Sequence, residues 1–192
     1  MLTQCYYRIV KQYMYSNILD VPQVRTTSRI EETILMAYIY VWYPSDDSWG
    51  HASMLLKDSD VYISWWPKDD KSKHKKKKKK VDAKEHLPQN YNEDVEVTGR
   101  EATHQFYIDS NKIECDDVVS WWHNTRGRGR YHFLERNCCN VVLSALKKGG
   151  CFQWVHPGIR IISTPRHMIR YATKLEKATC KDNNPFKVFR II

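Results

Sequence analysis

The apolar positions of the chain follow two periods. Ile34 to Tyr43 (ILMAYIYVWY) is a nearly continuous run of β-branched and aromatic residues closed by Pro44-Ser-Asp-Asp, which predicts a buried strand. His51 to Lys57 and Val61 to Trp66 flank Asp58-Ser59-Asp60 and predict a β-hairpin ended by Pro67. His104 to Asp109 (HQFYID) reads as a further strand, and Tyr131 to Leu134 as a short one. Elsewhere the spacing turns helical. Asn111 and Glu114 resemble a capping box, Cys115, Val118, Val119 and Trp122 recur at helix spacing, and Arg126-Gly127 stops the run. The clearest helix starts at Asn137, a good N-cap, buries Val141, Val142, Ala145 and Leu146, and stops at Gly149 after Lys147 and Lys148. Thr164-Pro165 followed by Met168, Ile169 and Ala172 predicts a last helix.

Strands followed by helices point to an α+β fold, an antiparallel sheet packed against helices. At 192 residues and 42% hydrophobic, the chain is long and apolar enough for one packed domain. We place that domain at residues 31–180, after an N-terminal arm at 1–30 and before a tail at 181–192. The net charge is +9, but residues 68–80 (KDDKSKHKKKKKK) alone hold nine Lys against two Asp. The rest is close to neutral. A lysine-rich insertion is therefore expected at about 68–95. Lys75, Lys76, Lys77, Lys78, Lys79 and Lys80 carry no interleaved aromatic ring, which disfavours base stacking on nucleic acid and favours an anionic membrane surface or another polyanion. The opening thirty residues lack an apolar signal core, and Ile34–Tyr43 is too short to span a bilayer. Six cysteines without an extracellular cue read as reduced thiols, so the expected location is cytoplasmic, peripheral to a membrane where the lysines engage one.

Chemistry enters at the best-defined helix. Cys138 occupies its first position, where unpaired amides and the positive end of the helix dipole favour an anion. A thiol there ionises more easily, and the same amides can receive an oxyanion at an attacked carbonyl. The bland alternative is a small buried apolar residue, which is the commoner fate of a free cysteine. Of the eight histidines, His51 stands apart because it opens a strand directly after Trp49-Gly50, where the missing side chain lets another group approach. Metal binding has little support, since there is no C-x-x-C and no histidine pair at helical ligand spacing. No G-x-S-x-G elbow or glycine-rich phosphate loop is present either.

Two segments, Trp49-Gly-His-Ala-Ser-Met-Leu-Leu56 with Tyr62-Ile-Ser-Trp-Trp-Pro67, and Asn137-Cys-Cys-Asn-Val-Val142 with Leu146 and Gly149-Gly150, resemble circularly permuted papain-like thiol enzymes. That broad group includes NlpC-type peptidases and lecithin:retinol acyltransferase-like proteins, and the motifs are most similar to the Rho-inactivation domain of bacterial toxins. The resemblance covers roughly residues 34 to 150. It implies a circularly permuted papain-like fold with Cys138 as nucleophile, His51 as general base, and a polar residue on the neighbouring strand, for which Ser64 is the candidate, orienting the histidine. It further implies a cysteine-dependent acyl transfer through a thioester, as an N-acyltransferase or as a thiol amidase or peptidase. The acyl donor would be an acyl-CoA or a lipid, with no bound cofactor, and the substrate a protein or lipid amine or ester. Trp65, Trp66, Trp121 and Trp122 are candidate walls of an acyl groove. The contrasting expectation is an inactive member of the fold that serves as a basic membrane- or polyanion-binding module.

Overall fold

A computed structural model describes residues 36–46, 48–67, 81–82, 87–158 and 162–180. The expected N-terminal arm, the lysines Lys75–Lys80 and the C-terminal tail lie outside the described residues.

The sheet has four antiparallel strands in the order β3-β2-β1-β5. They are β1 (Met36–Trp42), β2 (His51–Leu56), β3 (Val61–Ile63) and β5 (His104–Asp109). A separate two-stranded ladder pairs β4 (Val81–Asp82) with β6 (Arg130–Tyr131). Four helices follow the strands or sit between them: α1 (Tyr91–Thr98), α2 (Cys115–Thr125), α3 (Cys138–Lys148) and α4 (Pro165–Thr179). The fold is thus α+β with an antiparallel sheet. Among the described residues no helix is long and apolar enough to cross a membrane.

Alternation along the strands separates the two faces. Ala37, Ile39 and Val41 of β1, with Ala52, Met54 and Leu56 of β2, join Val142, Ala145 and Leu146 of α3 and Met168, Ala172 and Leu175 of α4 in the main core. Side chains such as Ile39, Met54 and Leu146 are fully buried, each stabilising the fold by about 1.5–3 kcal/mol. The opposite face carries Tyr40, Trp42 and Tyr62, covered by Tyr91 and Val95 of α1. Beyond β1, the outer side of β5 meets α4: Glu176 Oε1 accepts from the Tyr107 amide at 3.1 Å, and the Cys180 thiol donates to the Tyr107 carbonyl at 3.5 Å.

Three expectations change. The lysine-rich segment ends earlier than residue 95, because Leu87 and Pro88 are buried and α1 begins at Tyr91. Asn90 caps α1, its Oδ1 accepting from the Glu93 amide at 3.0 Å while the Glu93 carboxylate returns to the Gln89 amide at 2.9 Å. Asn111 forms no capping box with Glu114; it sits in a short 3-10 turn, and Glu114 precedes α2 without a side-chain cap. The strand expected at Tyr131–Leu134 is β6, shifted back, and His132 and Arg136 then close a tight turn with paired backbone hydrogen bonds of 3.2 and 2.8 Å.

Candidate active site

Register decides what faces His51. Trp42 pairs with His51, and Leu55 with Tyr62, so the hairpin places His51, Ser53 and Tyr62 on the α1 face of the sheet. Period-two alternation returns Ser64 and Trp66 to that same face. Asp94 projects into them from the first turns of α1 and is fully buried.

Its carboxylate is the hub. Tyr62 donates to Oδ2 at 2.7 Å, while the Ser64 hydroxyl and the Trp66 indole each donate to Oδ1 at 2.8 Å. His51 Nε2 lies 3.2 Å from Oδ2 and 3.1 Å from Ser64 Oγ. Because Ser64 spends its proton on Asp94, it receives from His51, and Nε2 therefore carries hydrogen. Tyr62 likewise gives its proton to Asp94, so Ser53 donates to it at 2.7 Å. The Trp66 ring stacks on the imidazole at 4.2 Å between centroids.

On the other side of the imidazole is the thiol. Asn137 caps α3 through a reciprocal box with Asn140, and Asn137 Nδ2 also donates to the Phe133 and Ser163 carbonyls at 2.8 and 2.9 Å. Those bonds fix the helix start, leaving Cys138 in the first turn and only 7% exposed. His51 and the Ala52 amide both lie near enough to the sulfur to favour its ionised form. Since Nε2 is committed to Asp94 and Ser64, Nδ1 is the ring nitrogen left for sulfur. The first two helix amides, those of Cys138 and Cys139, precede the reach of the helical hydrogen-bond ladder and sit beside this thiol.

Electrostatics favour the charged pair. Burial alone would lower the His51 pKa, but the Asp94 charge and hydrogen bond, with help from Cys138, raise it to about 9. Burial would raise the pKa of Asp94, yet His51 and the Tyr62 and Trp66 donors bring it down to about 2. Cys138 is held well below the usual thiol range by the Cys139 hydrogen bond, against burial, and then by His51 and the Ala52 amide. Cys139 is pushed up first by the hydrogen bond it gives Cys138, then by burial and its neighbour's charge. Of the two sulfurs, the anion is favoured on Cys138, which accepts the hydrogen bond of Cys139 and is the one beside His51.

The sequence-based candidates thus separate. Cys138, His51 and Ser64 come together, with Ser64 touching both the imidazole and its carboxylate. Asp94 is the member that sequence reading missed, and the Asn90/Glu93 cap closed by Gly99 is the signal that would have found its helix. The tryptophan groove does not form as expected: Trp65 and Trp122 pack in the main core and Trp66 is spent on His51 and Asp94. Trp121 is only half-buried. Among the described residues no cluster of three or more His, Cys, Asp or Glu is arranged to hold a metal ion.

Gly50 sets the entry of β2. Its φ is +79°, and an added Cβ would lie 2.5 Å from the Trp42 carbonyl oxygen and 2.9 Å from Pro165 Cγ. Gly50→Ala is expected to cost about 2–4 kcal/mol, from left-handed strain plus overlap, and to displace His51. A denaturant midpoint and a Cys138 alkylation rate both equal to wild type would contradict this.

Residues 28–110 and 113–188 match the family model of the IcsB middle domain. No curated protein matches the chain, and no solved structure does. With the larger part of its length covered by that family model, the chain belongs to the IcsB middle-domain family.

Proposed function

We propose that the protein is a cysteine-dependent acyl-transfer enzyme with a permuted papain-like arrangement, of the kind its motifs share with the Rho-inactivation domain of toxins. What supports this reading is the buried Cys138–His51–Asp94 group: a sulfur at a helix start whose ionised form is favoured by a neighbouring imidazole, itself anchored through Nε2 by a carboxylate.

In the first half-reaction the Cys138 thiolate attacks the carbonyl carbon of an acyl donor, and the carbonyl oxygen takes the negative charge beside the α3 amides. His51 gives its Nδ1 proton to the departing group as the carbon–leaving-group bond breaks. A thioester on Cys138 remains. In the second half-reaction an amine or water attacks, His51 takes the proton it loses, and the thiolate departs. Asp94 and Ser64 touch no reacting atom; they position the imidazole and stabilise its charged form. An amine acceptor on a protein or lipid makes the enzyme an N-acyltransferase, and water makes it an amidase or peptidase. In the transferase an acyl-CoA or a lipid supplies the acyl group; in the amidase or peptidase the amide substrate itself supplies it and its amine takes the proton from His51.

Intact-mass measurement after exposure to an alkyne fatty acyl-CoA tests this directly. Wild type is expected to gain one acyl group that hydroxylamine removes and that Cys138→Ala does not acquire. Hydroxylamine-resistant label on lysines of added protein identifies the transferase branch. Equal iodoacetamide labelling of all cysteines, with no acyl adduct, would instead leave an inactive basic binding module.

A further inference from the structure

His51 lies on a strand with a neighbour on either side, and an indole reaches it from each. In the sheet β2 runs between β3 and β1. Trp42 of β1 is the direct cross-strand partner of His51, with ring centroids 5.3 Å apart and planes 49° from parallel. Trp66 follows β3. Carrying the Met54–Ile63 pairing three residues further sets Trp66 opposite His51, where the two rings stack 4.2 Å apart at 23°. The two contacts differ in kind. Trp42 sends its Nε1–H away, to the Arg100 carbonyl at 2.8 Å, and offers the imidazole a wall. Trp66 sends its Nε1–H into the same acceptors that the imidazole uses.

Those acceptors are Asp94 and Ser64. The Trp66 nitrogen lies 2.8 Å from Asp94 Oδ1 and 3.1 Å from Ser64 Oγ. His51 Nε2 lies 3.2 Å from Asp94 Oδ2 and 3.1 Å from Ser64 Oγ. Stacked rings whose polar edges share two acceptors cannot turn independently. A histidine ring has only a broad torsional well of its own, so contacts of this kind must fix it. All four side chains are buried, which keeps water from taking their place.

One side chain thus acts on His51 in two opposite ways. The ring face is the negative side of an aromatic quadrupole, and at this separation it favours a cation over a neutral ring, most strongly where water is excluded. The N–H takes up part of the Asp94 charge and so weakens the pull of the carboxylate on the imidazole. Asp94 from α1 and Cys138 from α3 are the charged groups that act on the ring. Tyr62 of β3 acts through its bond to Asp94, and neither tryptophan titrates.

We propose that Trp66 is a positioning residue of the thiol–imidazole pair: its indole face holds the His51 ring and favours the imidazolium, while its N–H aligns Asp94 and Ser64 on Nε2. It touches no reacting atom. The proposal rests on the Cys138–His51 pair of the acyl-transfer reading and adds the element that keeps the ring in place.

The test follows the His51 resonances in the full chain labelled with nitrogen-15 histidine, using His51→Ala to identify them, alongside the pH profile of Cys138 alkylation. Trp66→Phe keeps a ring face and removes the N–H, so the His51 midpoint should stay at the wild-type value or move up. Trp66→Leu keeps apolar bulk and removes both features. Its midpoint should fall by about one pH unit, and the Cys138 alkylation profile should move to higher pH. Melting temperatures gauge what each variant loses as packing. A side chain that merely fills space would cost stability in both variants and leave the midpoint in Trp66→Leu unchanged, or raised as water enters. Either result overturns the proposal. So does a fall of equal size in Trp66→Phe, a milder change that decides the matter alone where Trp66→Leu does not fold. The expected titrations in a protein that takes no acyl group from acyl-CoA would defeat the acyl-transfer reading and leave this proposal standing. Acylation of Cys138 with an unmoved midpoint in Trp66→Leu would defeat this proposal only.

Discussion

Asp94→Ala is expected to lower folding stability by about 3–5 kcal/mol and to slow alkylation of Cys138 at pH 7 by about 100-fold. The stability loss has a definite origin. Four buried donors, from Tyr62, Ser64, Trp66 and His51, converge on one carboxylate, and removing it leaves each of them in a site closed to water. The kinetic loss has another. Without the carboxylate, burial returns His51 to the neutral form, and Cys138 no longer faces a cation. Asp94→Asn separates the two effects, because it keeps the shape and part of the hydrogen bonding while removing the charge. It should recover much of the stability and little of the alkylation rate. A purely structural role for Asp94 would move both together, and a wild-type rate in Asp94→Asn would show that the charge does not reach the thiol.

The second large effect lies in pH. Cys138 alkylation in the wild type should be nearly as fast at pH 6 as at pH 8, because the sulfur is already ionised well below the usual thiol range. Burial, followed by acidic neighbours, raises Cys115 to about 11, and burial raises Cys151 to about 12, so their rates should still fall about tenfold per unit as pH drops. His51→Ala should steepen the Cys138 profile toward that slope, with the Cys139 hydrogen bond and the Ala52 amide still favouring the anion. A tenfold rise per unit between pH 6 and 8 in the wild type would remove the case for an ion pair. Stability follows the same groups. His51 is raised from 6.5 to about 9, so its contribution is full below 6.5 and is lost as pH rises through about 9. Asp94 is lowered from 3.8 to about 2, so its contribution is full above 3.8 and is lost as pH falls through about 2. Both groups stabilise the fold fully between about 3.8 and 6.5.

Local signals explain what the sequence revealed. Asn137, the apolar stripe of α3 and Gly149 lie within one helix, so each reinforces the next, and Cys138 could be placed at the helix start from them alone. Ser64 was open because its face depends on hairpin register, which short-range pattern does not fix; the Leu55–Tyr62 pairing resolves it. Asp94 was hidden for a different reason. Its helix is short and mostly polar, it follows a run of lysines, and its one buried carboxylate gives no apolar stripe to read. The tryptophans misled because an aromatic ring serves a core, a hydrogen bond or a groove with the same composition. Trp66 shows the point, since its ring covers His51 while its nitrogen serves Asp94.

The contact between α4 and β5 has a consequence for assembly. A strand at the margin of a sheet is a template on which a foreign polypeptide can add itself, and exposed templates lead to aggregates. Here the Tyr107 amide is already satisfied by a side-chain carboxylate and its carbonyl by a thiol, both supplied from the same chain. Glu176→Ala should therefore do more than loosen a helix: it would reopen a docking strip for unwanted copies, and increased light scattering at high concentration would reveal it.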